Sequence, residues 1–171
     1  MIRGFLDGCY TTNATMSLED YLERNNVWHR FVEKAETIHT ADASTATGID
    51  LHRITKNLVS VTDAGEHVVL IVPGDRRVDL GAAARVLGAR NVKLMPFDRS
   101  EALSGYPPGG TPSLGYKTKM RVVVDQELSR FETFYCGGGS RNRLLEVRFT
   151  DVVWLNEAVV AQISSEPKPS G

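Results

Sequence analysis

A lysine at the start of an apolar run, two glycine-rich loops and two short rows of cations are the parts of this chain whose residue types and spacing could do chemistry. Lys56 stands directly before an aliphatic stretch in Ile54-Thr55-Lys56-Asn57-Leu58-Val59. A cation there is either a solvated strand-start residue or a group held ready for an anionic or carbonyl ligand. The first loop, 105–115, holds four of the 15 glycines and three of the seven prolines, so it cannot be a regular element. The second is Gly137-Gly138-Gly139. Glycine lets backbone amides approach a ligand closely, and oriented amides stabilise negative charge developing on an oxygen. Each loop also reads as an ordinary tight turn. Lys117, Lys119 and Arg121 alternate, as do Arg141 and Arg143, so on extended backbone each row points one way. Such a row either meets phosphates or forms a solvated face.

Other chemistries are excluded. The stretch 110–118 (GTPSLGYKT) comes close to a phosphate-cradling loop, but Tyr116 separates Gly115 from Lys117. It also leads into a strand, where a phosphate loop must open a helix. His29, His39, His52 and His67 lie far apart without metal-ligand spacing, so neither a metal nor a cofactor is expected. Cys136 precedes three glycines whose amides could lower its pKa, but no histidine partner is identifiable, which favours a buried inert thiol. There is no G-x-S-x-G elbow. Any catalysis must therefore lean on backbone and cation electrostatics.

The elements that must position these residues follow from pattern. A helix is expected over 17–36, capped by Ser17, with Asn25-Asn26 marking a break within it. A short helix follows over 42–51, ended near Gly48. Strands 57–62 and 67–72 flank the turn Asp63-Ala64-Gly65 and read as a hairpin. Asp79 caps a helix ending at Gly88, 92–95 is a strand, and 100–103 makes one helical turn. Strands are expected at 121–125, 131–135, 145–149 and 159–163, with a short helix capped by Thr150 and running to Asn156. Roughly seven short strands and three or four helices without strict alternation give an α+β domain on a mixed sheet. Residues 1–16 read as an extension, 17–163 as one domain, and 164–171 as a disordered tail.

The chain has 171 residues, formal net charge −1 and two cysteines, and this composition bounds the setting. Two cysteines make no disulfide framework, which argues for a reducing, cytoplasmic environment. No membrane span or signal peptide is expected. Near-neutral charge argues against gripping nucleic acid by bulk electrostatics. The distribution is uneven, however, with basic residues gathered in 74–93 and 116–121.

The order of the pieces resembles the free-standing aminoacyl-tRNA deacylases of the YbaK type, related to the editing insertion of bacterial prolyl-tRNA synthetases. The resemblance spans roughly 37–163. It rests on Lys56-Asn57-Leu58-Val59, then 69–73 running into Asp79-Leu80-Gly81-Ala82-Ala83-Ala84, then 87–94. It continues through Gly105-Tyr106, Gly109-Gly110, Leu114-Gly115, and Phe131-Glu132-Thr133-Phe134-Tyr135 before Gly138-Gly139. It implies a compact mixed α/β domain around a barrel-like sheet with peripheral helices.

The implied activity is hydrolysis, in trans, of the ester joining a wrong small amino acid (Ala, Cys, Ser or Thr) to tRNA for proline. The family's lysine matches Lys56. Its G-x-x-x-P substrate loop falls on Gly109, Gly110, Thr111, Pro112 and Ser113, with proline one place early. Some relatives carry a serine where Gly137 stands and an aspartate where Leu144 stands. An aminoacyl ester is already activated, so positioning, a water and a place for the oxyanion suffice. The implied roles are carbonyl binding by the Gly109, Gly110 and Thr111 amides with Lys56, and substrate binding by Pro112, Ser113, Gly137, Gly138 and Gly139. Lys117, Lys119, Arg121, Arg141 and Arg143 are the implied contacts to acceptor-stem phosphates. The implied partners are the aminoacyl-tRNA acceptor end and prolyl-tRNA synthetase, with neither membrane nor DNA. Two other readings stay open: a non-catalytic tRNA- or synthetase-binding module, and a hydrolase of another small acyl ester.

Overall fold

The computed structural model of the chain describes residues 16–167. The extension expected over 1–16 lies outside these residues except for Met16, as does the end of the expected tail.

Ser17 accepts the Asp20 N–H at 3.1 Å and starts α1, Leu18–Arg24. Asn25 then turns its side-chain amide back to the Tyr21 carbonyl, and Asn26 takes a positive φ of 54°. The helix expected over 17–36 therefore stops after two turns. Its second half is β1, His29–Glu33, which pairs antiparallel with β8, Arg143–Arg148. Backbone partners supplied by a strand more than a hundred residues away override weak helical spacing. Next come α2, Thr40–Thr47, ended by Gly48 at φ 74°, and a separate 3-10 turn over Leu51–Arg53.

The expected hairpin is present as β2, Thr55–Thr62, and β3, His67–Pro73, turned at Gly65 with φ 86°. Because β2 begins at Thr55, Lys56 lies inside the strand rather than before it. Strand β4 is Arg77–Val78. Asp79 caps α3, Leu80–Leu87, by accepting the Ala82 N–H at 2.9 Å. After β5, Val92–Leu94, comes α4, Phe97–Ser104, two turns where one was expected. The second half of the chain forms β6, Arg121–Asp125, a 3-10 turn over Gln126–Arg130, and β7, Thr133–Gly137. Strand β8 then passes directly into α5, Phe149–Asn156. Thr150 therefore sits within α5 instead of capping it. Strands β9, Val159–Ala161, and β10, Ser164–Ser165, follow. β10 pairs with β4, so order extends into the stretch expected to be a disordered tail.

The fold is mixed α/β, with five helices and ten strands among the described residues. One sheet has five strands in the order β5-β2-β3-β6-β9, parallel at β3–β6 and β6–β9 and antiparallel elsewhere. A second sheet, β1-β8-β7, is wholly antiparallel. A single parallel bridge, Ile54 to Tyr135, joins the two. The barrel-like sheet is corrected here: β5 and β9 are edges of the five-stranded sheet, and one bridge does not close it.

Strand β3 is buried on both faces, as its unbroken apolar run requires. Val68, Leu70 and Val72 pack with Ala83, Ala84 and Leu87 of α3. Val69 and Ile71 join Phe134, Leu145 and Leu22 on the opposite side. The strand that carries Lys56 is thus paired to a rigid, doubly covered neighbour. No helix among the described residues is long and apolar enough to cross a membrane.

Candidate active site

Strand β2, the start of α2, the segment around α4 and the loop before β6 enclose a pocket of about 330 Å³. Its wall includes Lys56, Asn57, Gly109, Thr111, Gly137 and Ile38. Lys56 is half-buried, and burial pushes its pKa below the ordinary lysine value, with the Asp75 carboxylate opposing that shift in part. Its ammonium donates to the Arg76 carbonyl oxygen. Arg76 is itself anchored, donating from Nε to Ser164 Oγ at 2.7 Å and from its terminal nitrogen to Ser164 O at 3.1 Å. Strand β10 therefore braces the carbonyl that holds Lys56. Thr40 and Ala41, in the first turn of α2, which has no side-chain cap, line the same pocket and add the partial positive charge of a helix start to its border.

Asn57 closes a directional ring. Its side-chain nitrogen donates to Thr55 Oγ1 at 3.0 Å and to Thr111 O at 3.1 Å, using both hydrogens. Ser113 Oγ donates to Asn57 Oδ1 at 2.6 Å. That leaves the Thr55 hydroxyl as the donor to Ser113 Oγ, 3.2 Å away. Thr55 and Ser113 are buried, and the ring satisfies both hydroxyls and the amide together.

The two glycine loops meet each other before either meets a ligand. The Gly137 N–H donates to Thr111 O at 3.2 Å and the Gly139 N–H to Gly110 O at 2.8 Å. A Cβ at Gly137 would lie 2.4 Å from the Gly110 carbonyl carbon, and one at Gly110 2.9 Å from the Ser140 backbone. Gly109 has φ 85° and would place a Cβ 2.7 Å from the Ile38 Cα. Close backbone packing is what demands glycine at these positions.

The candidate residues do not all converge. Lys56, Gly109, Thr111 and Gly137 share the pocket wall. Gly110 is buried, and its N–H is spent on Pro107 O at 2.8 Å. Pro112 and Ser113 are buried behind the wall. Gly138 exchanges hydrogen bonds with Arg143, and Gly139 borders a different cleft. Lys117 and Lys119 precede β6 and line that second cleft, of about 850 Å³, beside α1. The expected row of three on one extended segment is therefore corrected, since only Arg121 lies on the strand. Lys119 faces Glu157 at 3.5 Å and Arg121 faces Glu66 at 3.3 Å. Arg143 packs over Phe31 at 3.9 Å and pairs with Glu19 at 2.9 Å. Arg141 bonds the first glycine loop, donating to Pro108 O at 2.7 Å.

Cys136 is fully buried and its thiol is pushed up to about 12 by desolvation, so it is no thiolate nucleophile at neutral pH. Sequence reasoning missed Asn57 as a structural hub and missed the whole wall contributed by Ile38, Thr40, Leu94 and Phe97. The misread helix over 17–36 hid where the Ile38 segment would lie. Leu94 and Phe97 carry no polar signal at all.

The fold and the pocket define a class: a small mixed α/β domain that offers a half-buried lysine and a glycine-loop backbone to one cavity. Comparison with known proteins narrows it. A model of the aminoacyl-tRNA editing domain matches residues 33–154, and the chain belongs to that family. It is 26% identical over 159 residues to an Enterococcus faecalis protein named "Putative Cys-tRNA(Pro)/Cys-tRNA(Cys) deacylase", covering 91% of this chain and 94% of the relative. It is 33% identical over 90 residues to a proline–tRNA ligase of Desulfotalea psychrophila, covering 53% of this chain and 15% of the ligase. A crystal structure described as "a putative trans-editing enzyme for prolyl tRNA synthetase" superposes with TM-score 0.71 at 27% identity, covering 80% of this chain and 87% of that one.

Proposed function

We propose that this chain works in trans in the cytoplasm, hydrolysing the ester that joins a small wrong amino acid to the terminal ribose of tRNA for proline. The observation that carries this reading is the convergence of Lys56, Gly109 and Thr111 on one cavity in a chain of the editing-domain family. Water attacks the ester carbonyl, the new C–O bond forms, the acyl–ribose bond breaks, and a proton passes to the departing ribose oxygen. The backbone at Gly109 and Thr111 borders the carbonyl's place, and the Lys56 ammonium stabilises charge on that oxygen or on the adjoining phosphate. The Gly110 amide, already bonded to Pro107, supports the loop's turn rather than the oxyanion. The ribose hydroxyl next to the ester helps to activate the water, so the substrate supplies part of the catalysis. The cavity, about 330 Å³, is large enough for a small aminoacyl group such as alanine, cysteine, serine or threonine. Prolyl-tRNA synthetase is the natural source of such a mischarged product and a partner of the reaction.

The test is a deacylation panel of tRNA for proline charged with alanine, cysteine, serine, threonine and proline. Hydrolysis of one or more small esters with proline spared is the expected result. Lys56→Ala should lower kcat by roughly a hundredfold, the scale of removing one oxyanion donor. Binding of every charged tRNA without turnover would replace this reading with a non-catalytic binding module.

A further inference from the structure

A terminal nucleotide carries its base on the same ribose that carries the ester. A ligand whose carbonyl lies against Lys56 and the Gly109–Thr111 backbone therefore brings a base to the mouth of the pocket. The cavity, about 330 Å³, is at the small end of the range of about 300–1,000 Å³ typical of ligand pockets. With the aminoacyl group seated inside, the base lies towards the opening.

Part of the rim is apolar, beside the polar His39 and Thr40. Seven large hydrophobic side chains are exposed among the described residues, and three of them, Ile38, Leu94 and Phe97, line this one pocket. Phe97 is the aromatic of the three and is 62% exposed. A single exposed apolar residue needs no explanation, whereas three gathered at one mouth point to a ligand. The backbone beneath Phe97 is fixed. Met95 donates to the Val59 carbonyl of β2 at 2.9 Å, Pro96 holds φ at −60°, and Ser100 donates back to Pro96 at 2.9 Å. The backbone that carries the ring is thus anchored to β2 two residues before Phe97, at Met95. The small amino acids proposed above sit inside the cavity and are too short to cover it.

We propose that Phe97 is the platform on which the terminal base stacks, with Ile38 and Leu94 completing an apolar rim around it. Bases of any kind stack on aromatic faces, and this is a common way to hold an unpaired RNA end. The proposal rests on the reading of the pocket as an aminoacyl-ribose site and adds the part of the ligand that the pocket itself cannot enclose.

The experiment uses acceptor-stem microhelices charged with alanine, cysteine, serine or threonine, ending either in adenosine or in a ribose that lacks its base. Wild type, Phe97→Ala and Phe97→Tyr are compared by kcat/KM, with thermal unfolding as the control for folding. Phe97→Ala should lose roughly tenfold on the adenosine form, mainly in KM, and nothing further on the base-free form. Phe97→Tyr should behave as wild type. Equal loss on both forms, or no loss on either, overturns the stacking proposal while leaving the ester reading intact. Equal wild-type rates on the two forms also overturn it. No hydrolysis of any charged microhelix by folded wild type overturns the ester reading beneath it.

Discussion

The side-chain amide of Asn57 donates to the carbonyl oxygen of Thr111 at 3.1 Å and so ties the glycine loop to the residue beside Lys56. The other acceptor site of that carbonyl is taken by the Gly137 N–H at 3.2 Å. One peptide oxygen thus locks β2, the first loop and the second loop together. Asn57→Ala leaves the buried Ser113 hydroxyl without its acceptor and Thr111 with one donor. Unfolding free energy should fall by about 1–3 kcal/mol. Loosening of the loop should lower kcat on the order of tenfold. Asn57→Asp, which keeps the acceptor and loses both donors, should not restore kcat. Urea unfolding and deacylation kinetics check both parts, and a wild-type unfolding midpoint for Asn57→Ala would contradict the account.

Burial holds the Lys56 ammonium below the ordinary lysine value of 10.5. The folded protein therefore gives up this proton at lower pH than the unfolded chain does. Between the two values the unfolded chain binds more protons, so stability rises with pH across that window. Below the folded value the whole cost of burying the charge is present. Lys56→Met removes that cost, so it should unfold at higher urea concentration than wild type at neutral pH. The gain should shrink as pH climbs through the folded value towards 10.5. A gain that stays constant across that range would show that desolvation of the charge is not its source.

Two glycines should respond oppositely to alanine. At Gly137 the added Cβ would meet the Gly110 carbonyl carbon at 2.4 Å and the Thr111 backbone at 2.6 Å, and backbone cannot swing aside. Gly137→Ala should cost about 1–3 kcal/mol or more and should cut deacylation by parting the loops. At Gly81, inside α3, the nearest contacts are the ends of the Asp79 and Arg85 side chains at 3.4 and 3.7 Å. Gly81→Ala should stabilise the protein by up to about 1 kcal/mol through helix propensity. Denaturant titration of the two variants reads both signs.

The cations should separate by place. Arg141 bonds the pocket loop at Pro108, whereas Lys119 and Arg121 pair with acids on other surfaces. Arg141→Ala should weaken kcat/KM for charged tRNA more than Lys119→Ala does. If Arg141 meets a phosphate, its loss should reduce the magnitude of the log–log salt slope by roughly one counterion. Identical salt slopes for wild type and Arg141→Ala would remove it from the RNA contact. Exposed ion pairs such as Lys119–Glu157 are worth only about 0–1 kcal/mol, so stability should barely move.

Strand β3, helix α3 and both glycine loops were legible because local rules suffice for them. An unbroken apolar run, an Asp cap and a Gly stop act within a few residues. Strand β1 was not legible: Val27, Phe31 and Val32 fall near enough to helical spacing to mislead. What makes His29–Glu33 a strand is β8, far along the chain, which supplies the hydrogen bonds. The row Lys117, Lys119 and Arg121 failed for a related reason. Alternation predicts a shared face only on continuous strand, and the strand begins at Arg121.

By itself the sequence determined the residue types available for chemistry. It supplied one lysine at the head of an aliphatic run and glycines where backbones must approach. It also carried the ordered motifs by which the family was recognised. Only the tertiary structure decided which of these residues share a cavity. It set Lys56, Gly109, Thr111 and Gly137 on one wall, turned Pro112 and Ser113 inward, and sent Lys117 and Lys119 to a separate cleft. The reason is physical. Residue type and local pattern act over a few bonds, whereas the wall of the pocket is assembled from several distant segments brought together only by burial of the core and by hydrogen bonds between distant strands and loops.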